Sequence, residues 1–286
     1  RSTFELSFLH PARYKIAGAG VRLKDNAPTG DKNVAETVYQ MTQPVALVTF
    51  AMGPFKVYSE KFKLQPSGEV PLELFSLGNI ALKPDFMLAE MGNALNYFGA
   101  LFGPYPYPIF RAAYHPFGFG QGFATMLVVP NIDSVSKETF RFLSHETGHQ
   151  WWGNIVGWRS YRDQWLSEGF AEYSGMMYTA KRYKASAARE LIEEARLSLK
   201  QPPRVANGTI RSGTVTDIGP LILGHRLSTA ESLNAYQDLI YDKGALVLRM
   251  LHFLYSNLST GDDVAFFDMM KDFVNRNRNS SATTES

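Results

Sequence analysis

The most constraining feature of this sequence is a pair of histidines four residues apart, His145 and His149, with Glu146 directly after the first. On a helix, positions i and i+4 lie on one face, one turn apart. Two neutral imidazoles at that spacing can bind one Zn²⁺ at roughly 2.0–2.1 Å each. The carboxylate of Glu146 can then act as a general base on water without binding the metal. The spacing therefore predicts a helix that carries a zinc site.

A catalytic zinc usually has three protein ligands and one water, so a third ligand is needed. Glu168 follows His149 after 18 residues, which is enough for a loop and the start of a second helix, and it is the best candidate. A single histidine is more often a surface or core residue than a ligand, and a chance match to the pattern carries a small false-positive risk. The apolar, helix-forming residues 139–143 just before the motif favour the metal site.

The composition is that of a globular protein with a core: 45% of the 286 residues are hydrophobic and 20% are charged. A net charge of +2 predicts no special attraction to nucleic acid or to an anionic membrane. We expect no membrane span, because no apolar run reaches the roughly 18 residues that one needs. The absence of cysteine excludes a disulfide framework and a cysteine-bound metal, but it leaves the cellular compartment open.

Hydrophobic periodicity divides the chain into a strand-rich first part and a helix-rich second part. Short β-branched and aromatic runs between residues 4 and 77, separated by Gly and Pro turns, predict strands. Two further strands, 109–114 and 124–129, flank a glycine-rich link that lacks the ending of a phosphate-binding loop. Apolar spacing and capping residues predict helices over 84–99, 136–154, 168–183, 185–200, 239–257 and 264–275.

Taken together, these residues resemble a known family, the zinc metallopeptidases that include aminopeptidase N and leukotriene hydrolase. The family pattern is His-Glu-x-x-His, 18 residues, then Glu, with a Tyr-x-Lys-Gly motif further along the chain. Three stretches match it in the family's order, and the resemblance extends from about Val45 to Arg276. They are HETGHQWWGN at 145–154, WLSEGFAEY at 165–173 and YDKG at 241–244.

The resemblance implies an α+β fold, in which the C-terminal part of a β-domain precedes a thermolysin-like catalytic domain with a small sheet and a helical lobe. We expect the β-domain to occupy residues 1–79 and the zinc peptidase domain residues 80–278. The polar residues 279–286 predict a disordered tail, because they cannot bury a core. Both ends look cut, so we expect a fragment of a longer parent chain that lacks N- and C-terminal regions.

The resemblance also implies roles for the motif residues, with Zn²⁺ as the cofactor and a peptide as the substrate. His145, His149 and Glu168 would bind the metal, Glu146 would be the general base, and the Tyr241 hydroxyl would stabilise the oxyanion. Glu172 lies four residues after Glu168 on the same helix face. It could accept a hydrogen bond from a metal-bound histidine, or it could be a solvated glutamate.

One stretch departs from the family. Its exopeptidases carry Gly-x-Met-Glu-Asn on the strand before the zinc helix, and that glutamate binds the free α-amine of the substrate. The stretch that we align with it is Gly122, Phe123, Ala124, Thr125 and Met126, so Thr125 stands where the glutamate would be. We expect the first four of these residues to bind substrate. A threonine hydroxyl cannot make a charge-assisted hydrogen bond to an ammonium, which weakens the aminopeptidase interpretation.

Three functions remain open at this point. The chain could belong to an aminopeptidase with altered amine anchoring, to a zinc endopeptidase or non-peptide hydrolase of the same fold, or to a non-catalytic binding protein that retains the fold. The intact Glu146 argues against the last, since a binding protein has no need of the general base. The long segment 201–234 directly precedes Tyr241, so we expect it to border the substrate cleft.

Overall fold

Strands dominate the first third of the chain and helices the rest. The computed structural model describes residues 1–78 and 80–286. The strands are β1 (Ser2–Pro11), β2 (Lys15–Gly18), β3 (Val21–Pro28), β4 (Val34–Val45), β5 (Phe50–Gly53), β6 (Lys56–Leu64), β7 (Gly68–Ser76), β8 (Phe110–Tyr114), β9 (Gln121–Phe123), β10 (Met126–Val129), β11 (Val156–Trp158) and β12 (Ser280–Ala282). The α-helices are α1 (Pro84–Phe102), α2 (Lys137–Gly148), α3 (Trp165–Arg182), α4 (Ser186–Ser198), α5 (Gly244–Tyr255) and α6 (Val264–Arg276). Short 3₁₀ turns cover Tyr161–Asp163, Val215–Ile218 and Leu221–Leu227, and a π-helical segment covers Gln237–Lys243.

The contacts within the chain divide it into two units. The first comprises residues 1–100 and 104–150, and the second comprises residues 101–103 and 151–286. Small sheets and helices occur together, as the α+β class predicts. In residues 1–78 and 80–286, no helix is both long enough and apolar enough to cross a membrane.

A five-stranded sheet in the first unit has the strand order β6-β7-β8-β10-β9. Strand β8 runs parallel to both of its neighbours, and all five of its residues are buried, as expected for a central parallel strand. Strand β7 reaches β8 through the crossover helix α1, so the two form one βαβ unit. The domain boundary predicted after residue 79 therefore falls within a single sheet. Residue 79 itself lies outside the described residues.

Helix α2 begins where the sequence predicts and ends earlier. The side chain of Ser136 caps the helix, and Ser136 and Thr139 form a reciprocal capping box. The prediction carried the helix to Asn154, but it ends at Gly148 with His149 as its C-terminal cap. A left-handed turn at Gly153, with φ of 104°, excludes a continuous helix there.

The tryptophans that follow α2 belong to the core of the second unit. Trp151 and Trp152 are fully buried. The ring of Trp152 packs at a centroid distance of 4.9 Å against both Phe102 and Phe170, and its indole N–H donates to Ser174. Burial of two large indole rings is strongly stabilising, and this favours a backbone that leaves the α-helical conformation here.

The predicted disordered tail is wrong in this structure. Residues Ser280–Ala282 form β12, which pairs in parallel with β11 in the second unit. The backbone N–H of Asn279 donates to the carbonyl of Ile155, and the Thr284 N–H donates to Asp163 Oδ1 at 2.7 Å. Backbone and side-chain hydrogen bonds order this polar segment, together with the burial of Ala282, which is why composition did not reveal it.

Candidate metal centre

Three side chains predicted as ligands come together in the structure. One possible ligand atom from each of His145, His149 and Glu168 lies within 4.8 Å of the others. The imidazole rings of His145, on the last turn of α2, and His149, its C-terminal cap, meet edge to face with centroids 4.8 Å apart. Glu168 lies in the first turn of α3, where the positive end of the helix dipole favours a carboxylate.

This donor set fits a metal ion of the zinc type. Two imidazole nitrogens and one carboxylate oxygen are a ligand combination found in catalytic zinc sites, which keep a fourth position open. Both histidines are buried. Because they are four residues apart, their rings lie on one side of the helix and both can reach a single ion.

Glu146 lies beside a stretch of bare backbone. A Cβ atom at Gly120 would be 2.9 Å from Glu146 Oε1, and one at Gly122 would be 2.4 Å from the Glu146 carbonyl oxygen. A Cβ at Gly122 would also come within 2.8 Å of His149 Cβ. The Gly122 clashes involve a backbone oxygen and a Cβ atom that cannot move aside, so only glycine lets β9 approach α2 so closely. At Gly120 the nearest atoms belong to the side chains of Phe142 and Glu146, which can move.

The four predicted substrate-binding residues divide into two pairs. Gly122 and Phe123 are half-buried in β9, an edge strand of the five-stranded sheet. Ala124 and Thr125 are fully buried in the turn that follows.

Thr125 holds this turn in place. Its hydroxyl oxygen accepts a hydrogen bond from the Gly20 N–H at 2.8 Å, and its φ of 67° is left-handed. The substrate role of Thr125 stays a prediction, and its burial counts against that role.

Gln150 is a positioning residue that the sequence analysis missed. Its amide oxygen accepts from the Thr125 N–H at 2.9 Å, and its amide nitrogen donates to the Phe123 carbonyl at 2.8 Å. The side chain therefore ties the β9–β10 turn to the residue that follows His149. A glutamine directly after His149 was the only signal in the sequence, and its burial and its partners are visible only in three dimensions.

Two glycines hold the segment that carries Tyr241 against α3. A Cβ at Gly244 would lie 2.9 Å from Gly169 Cα, and a Cβ at Gly169 would lie 2.8 Å from Gly244 Cα. Gly169 directly follows Glu168, and Gly244 comes three residues after Tyr241. The close backbone contact thus brings the second and third motifs together, and Tyr241 itself is half-buried.

Glu172 is 2% exposed, which excludes the solvated alternative. A buried carboxylate needs partners, as expected for a residue that supports a metal ligand. Its role as an acceptor for a histidine stays a prediction.

Comparison with known proteins supplies independent findings. The family model described as the peptidase family M1 domain matches residues 123–286, more than half of the chain. Glutamyl aminopeptidase of Sus scrofa is 26% identical over 271 residues, which cover 88% of this chain and 26% of that protein. Aminopeptidase N of Oryctolagus cuniculus is 24% identical over 280 residues, covering 88% and 27% respectively.

A solved structure of an M1 zinc metallopeptidase from Deinococcus radiodurans superposes with a TM-score of 0.75 at 20% identity. The superposition covers 99% of this chain and 58% of that one. At this identity the likeness shows the fold. The chain spans about a quarter of the length of the curated relatives named above.

Proposed function

The chain belongs to peptidase family M1, and from that membership we propose that it carries the site of a zinc-dependent peptidase, most similar to an aminopeptidase. The observation that carries the proposal is the convergence of ligand atoms from His145, His149 and Glu168 within 4.8 Å. The aminopeptidases among the relatives support the reaction class.

The three ligands would hold Zn²⁺ and leave one position open. When bound, zinc supplies Lewis-acid polarisation and lowers the pKa of a water to about 7.

The residues of the chain perform the remaining chemistry in this proposal. The carboxylate of Glu146 takes a proton from the attacking water and delivers it to the leaving amine. The hydroxyl of Tyr241 donates a hydrogen bond to the oxyanion that develops on the substrate carbonyl. The bare backbone at Gly120 and Gly122 lets β9 and the link before it pack close to Glu146. Edge strand β9 offers main-chain groups that an extended peptide can pair with.

A zinc endopeptidase is the second candidate, and a sequence observation favours it. No residue from His115 to Val129 is acidic, so neither the link nor strands β9 and β10 supply a carboxylate for a substrate ammonium. Loss of such a charge-assisted bond lowers the advantage of a free N-terminus over a blocked one.

Zinc content and hydrolysis of one peptide, with its N-terminus either free or acetylated, test the proposal together. We expect one zinc per chain in the wild type and in Glu146→Gln, and loss of zinc in His149→Ala. Hydrolysis should fall about 10²- to 10⁴-fold in Glu146→Gln, as expected for loss of a general base. Glu138→Gln, an exposed glutamate on the same helix, is the control.

Each outcome separates one candidate from the others. Stoichiometric zinc in His149→Ala would remove His149 from the site. Equal turnover in Glu146→Gln and wild type would exclude the general base. Cleavage restricted to the free peptide, one residue at a time, would favour the aminopeptidase over the endopeptidase.

A further inference from the structure

A hydrogen bond ties the end of helix α4 to the residue that follows Tyr241. The hydroxyl of Ser198, the last residue of α4, donates to Asp242 Oδ2 at 2.5 Å. That distance lies in the range of charge-assisted hydrogen bonds from a hydroxyl to a carboxylate. The carbonyl oxygen of Ala195 is 2.9 Å from the same hydroxyl. Because a hydroxyl carries only one proton, the closer and charged oxygen of Asp242 is the acceptor.

Helix α4 presents this hydroxyl from its packed side. Ala195 is buried, and residues three apart lie on one face of a helix, so Ser198 shares that face. The helix packs against α3, α5 and the π-helical segment Gln237–Lys243. Ser198 and Asp242 are both half-buried, so water competes less with their hydrogen bond than it would at an exposed site.

A second aspartate of the π-helical segment makes a similar hydrogen bond. Asp238 Oδ2 accepts from the side-chain amide of Asn234 at 2.8 Å, and Asn234 Oδ1 accepts from the Arg204 N–H at 2.8 Å. The two aspartates therefore fasten the segment to residues at both ends of the long stretch 199–233. π-helical turns are rare and recur at functional sites. Side-chain bonds to neighbouring elements help to hold this wider winding in place.

Tyr241 lies between two points at which the backbone is held. Asp242 is its neighbour in the chain and is bonded to α4. Gly244, three residues after Tyr241, lies against the backbone of Gly169 on α3. Rotation of the segment about its own axis would carry the Asp242 carboxylate away from Ser198 and break their hydrogen bond. The bond therefore limits the directions in which the phenol of Tyr241 can point.

We propose that Ser198 is a positioning residue for Tyr241. Its hydrogen bond to Asp242 holds the π-helical segment in the orientation in which the Tyr241 hydroxyl reaches the oxyanion. The inference rests on the proposed function, which gives Tyr241 that role. A preorganised donor stabilises the transition state without having to move during the reaction. Loss of its orientation therefore lowers turnover more than it lowers substrate affinity.

Hydrogen exchange of the backbone amides 237–243 tests the structural step without substrate or turnover. Ser198→Ala removes the donor and should speed exchange of these amides about 10-fold, as expected for loss of a hydrogen bond to a charged group. Ser186→Ala is the matched control, because the Ser186 hydroxyl also donates to a carboxylate, Glu190 Oε1 at 3.0 Å, but within α4 itself. Equal exchange in Ser198→Ala and the wild type would overturn the proposal.

Steady-state hydrolysis of tri-leucine by the zinc-loaded protein tests the catalytic step. Ser198→Ala should lower kcat about 3- to 30-fold with KM and zinc content unchanged, a part of the about 10²- to 10³-fold that loss of an oxyanion donor costs. Ser198→Thr keeps the hydroxyl and should restore kcat, and Ser186→Ala should match the wild type. In Tyr241→Phe, Ser198→Ala should have no further effect, because Ser198 acts through the Tyr241 hydroxyl.

The outcomes separate this inference from the proposed function. A raised KM with unchanged kcat, or an equal loss of kcat with and without the Tyr241 hydroxyl, would overturn the role of Ser198 alone. A wild type that neither binds zinc nor cleaves the peptide would overturn the proposed function, and the role of Ser198 in catalysis with it.

Discussion

The hydroxyl of Thr125 joins residues that are far apart in the sequence. It accepts from the N–H of Gly20, 105 positions earlier, and both residues are buried. The backbone of Thr125 is in the left-handed region, which is costly for a β-branched residue. Two hydrogen bonds hold it there: the Thr125 N–H donates to Gln150 Oε1, and the Gly20 N–H donates to the Thr125 hydroxyl oxygen. The Thr125 side chain therefore stabilises the folded structure at this turn.

We predict that Thr125→Val destabilises the protein by about 1–3 kcal/mol, because it leaves the buried Gly20 N–H without its acceptor. Thr125→Ser keeps the oxygen and should stay much nearer to the wild type. Urea unfolding measures both. A valine variant that unfolds like the wild type but changes the relative cleavage of free and acetylated peptides would instead place Thr125 against the substrate.

At the scale of elements, two backbone surfaces meet where Gly169 and Gly244 touch. In an ordinary exposed helix interior, Gly→Ala stabilises by about 1 kcal/mol. Here the added methyl would fall 2.9 Å from a backbone carbon that cannot move without shifting α3. Because of this contact, we expect Gly→Ala to destabilise the protein here, the opposite of its usual effect on stability.

We predict that Gly244→Ala lowers the free energy of unfolding by about 1–3 kcal/mol, the usual cost of overpacking. Gly99→Ala is a matched control, since its Cβ would meet only the Gln65 carbonyl, at 3.4 Å, near the end of α1. The control should be neutral or stabilising. Equal stability of Gly244→Ala and wild type in urea would show that α3 and α5 can move apart freely.

How far the sequence predicts these elements depends on the kind of signal. Helix α6 was predicted over 264–275 and is observed to Arg276, because apolar periodicity and length agree. The spacing of His145, His149 and Glu168 predicts that these residues come together, and they do. Their role as metal ligands stays a prediction. The helix predicted over 239–257 begins instead in a π-helical segment, because periodicity assumes 3.6 residues per turn. Gln150 was missed because its hydrogen-bond partners, Phe123 and Thr125, lie at the β9–β10 turn, 27 and 25 positions earlier in the chain.

At the scale of the whole chain, Asp163 joins stretches about 120 residues apart. Its Oδ1 accepts from the N–H and the hydroxyl of Thr284, while its Oδ2 accepts from Ser160. Burial alone raises the pKa of Asp163, but the hydrogen bonds from Thr284 and Ser160 outweigh it and hold the pKa below its usual value. This carboxylate explains the ordered end of the chain, which composition could not predict because the stretch is polar.

We predict that Asp163→Ala speeds hydrogen exchange of the Thr284 amide at pH 7. In the wild type, the protection should persist above the unfolded pKa of about 3.9 and be lost as the pH falls through the lower folded pKa. Asp217→Ala removes a carboxylate with the same capping-box role at Thr214, and should leave the Thr284 amide protected. An amide that exchanges equally fast in both variants would show that β12 pairing alone orders the tail.

The glycine backbone beside Glu146 has a consequence for selectivity. Gly120 and Gly122 present no side chain at the point closest to the carboxylate, and any added side chain would collide with α2. In the proposed function, a peptide would pair with the main chain of edge strand β9 through atoms that all peptides share, so the pairing would not tell one sequence from another. Discrimination would then have to come from other residues of the site. Those residues can change over evolution while Glu146 stays in place, so related proteins could differ in substrate preference and keep the same reaction.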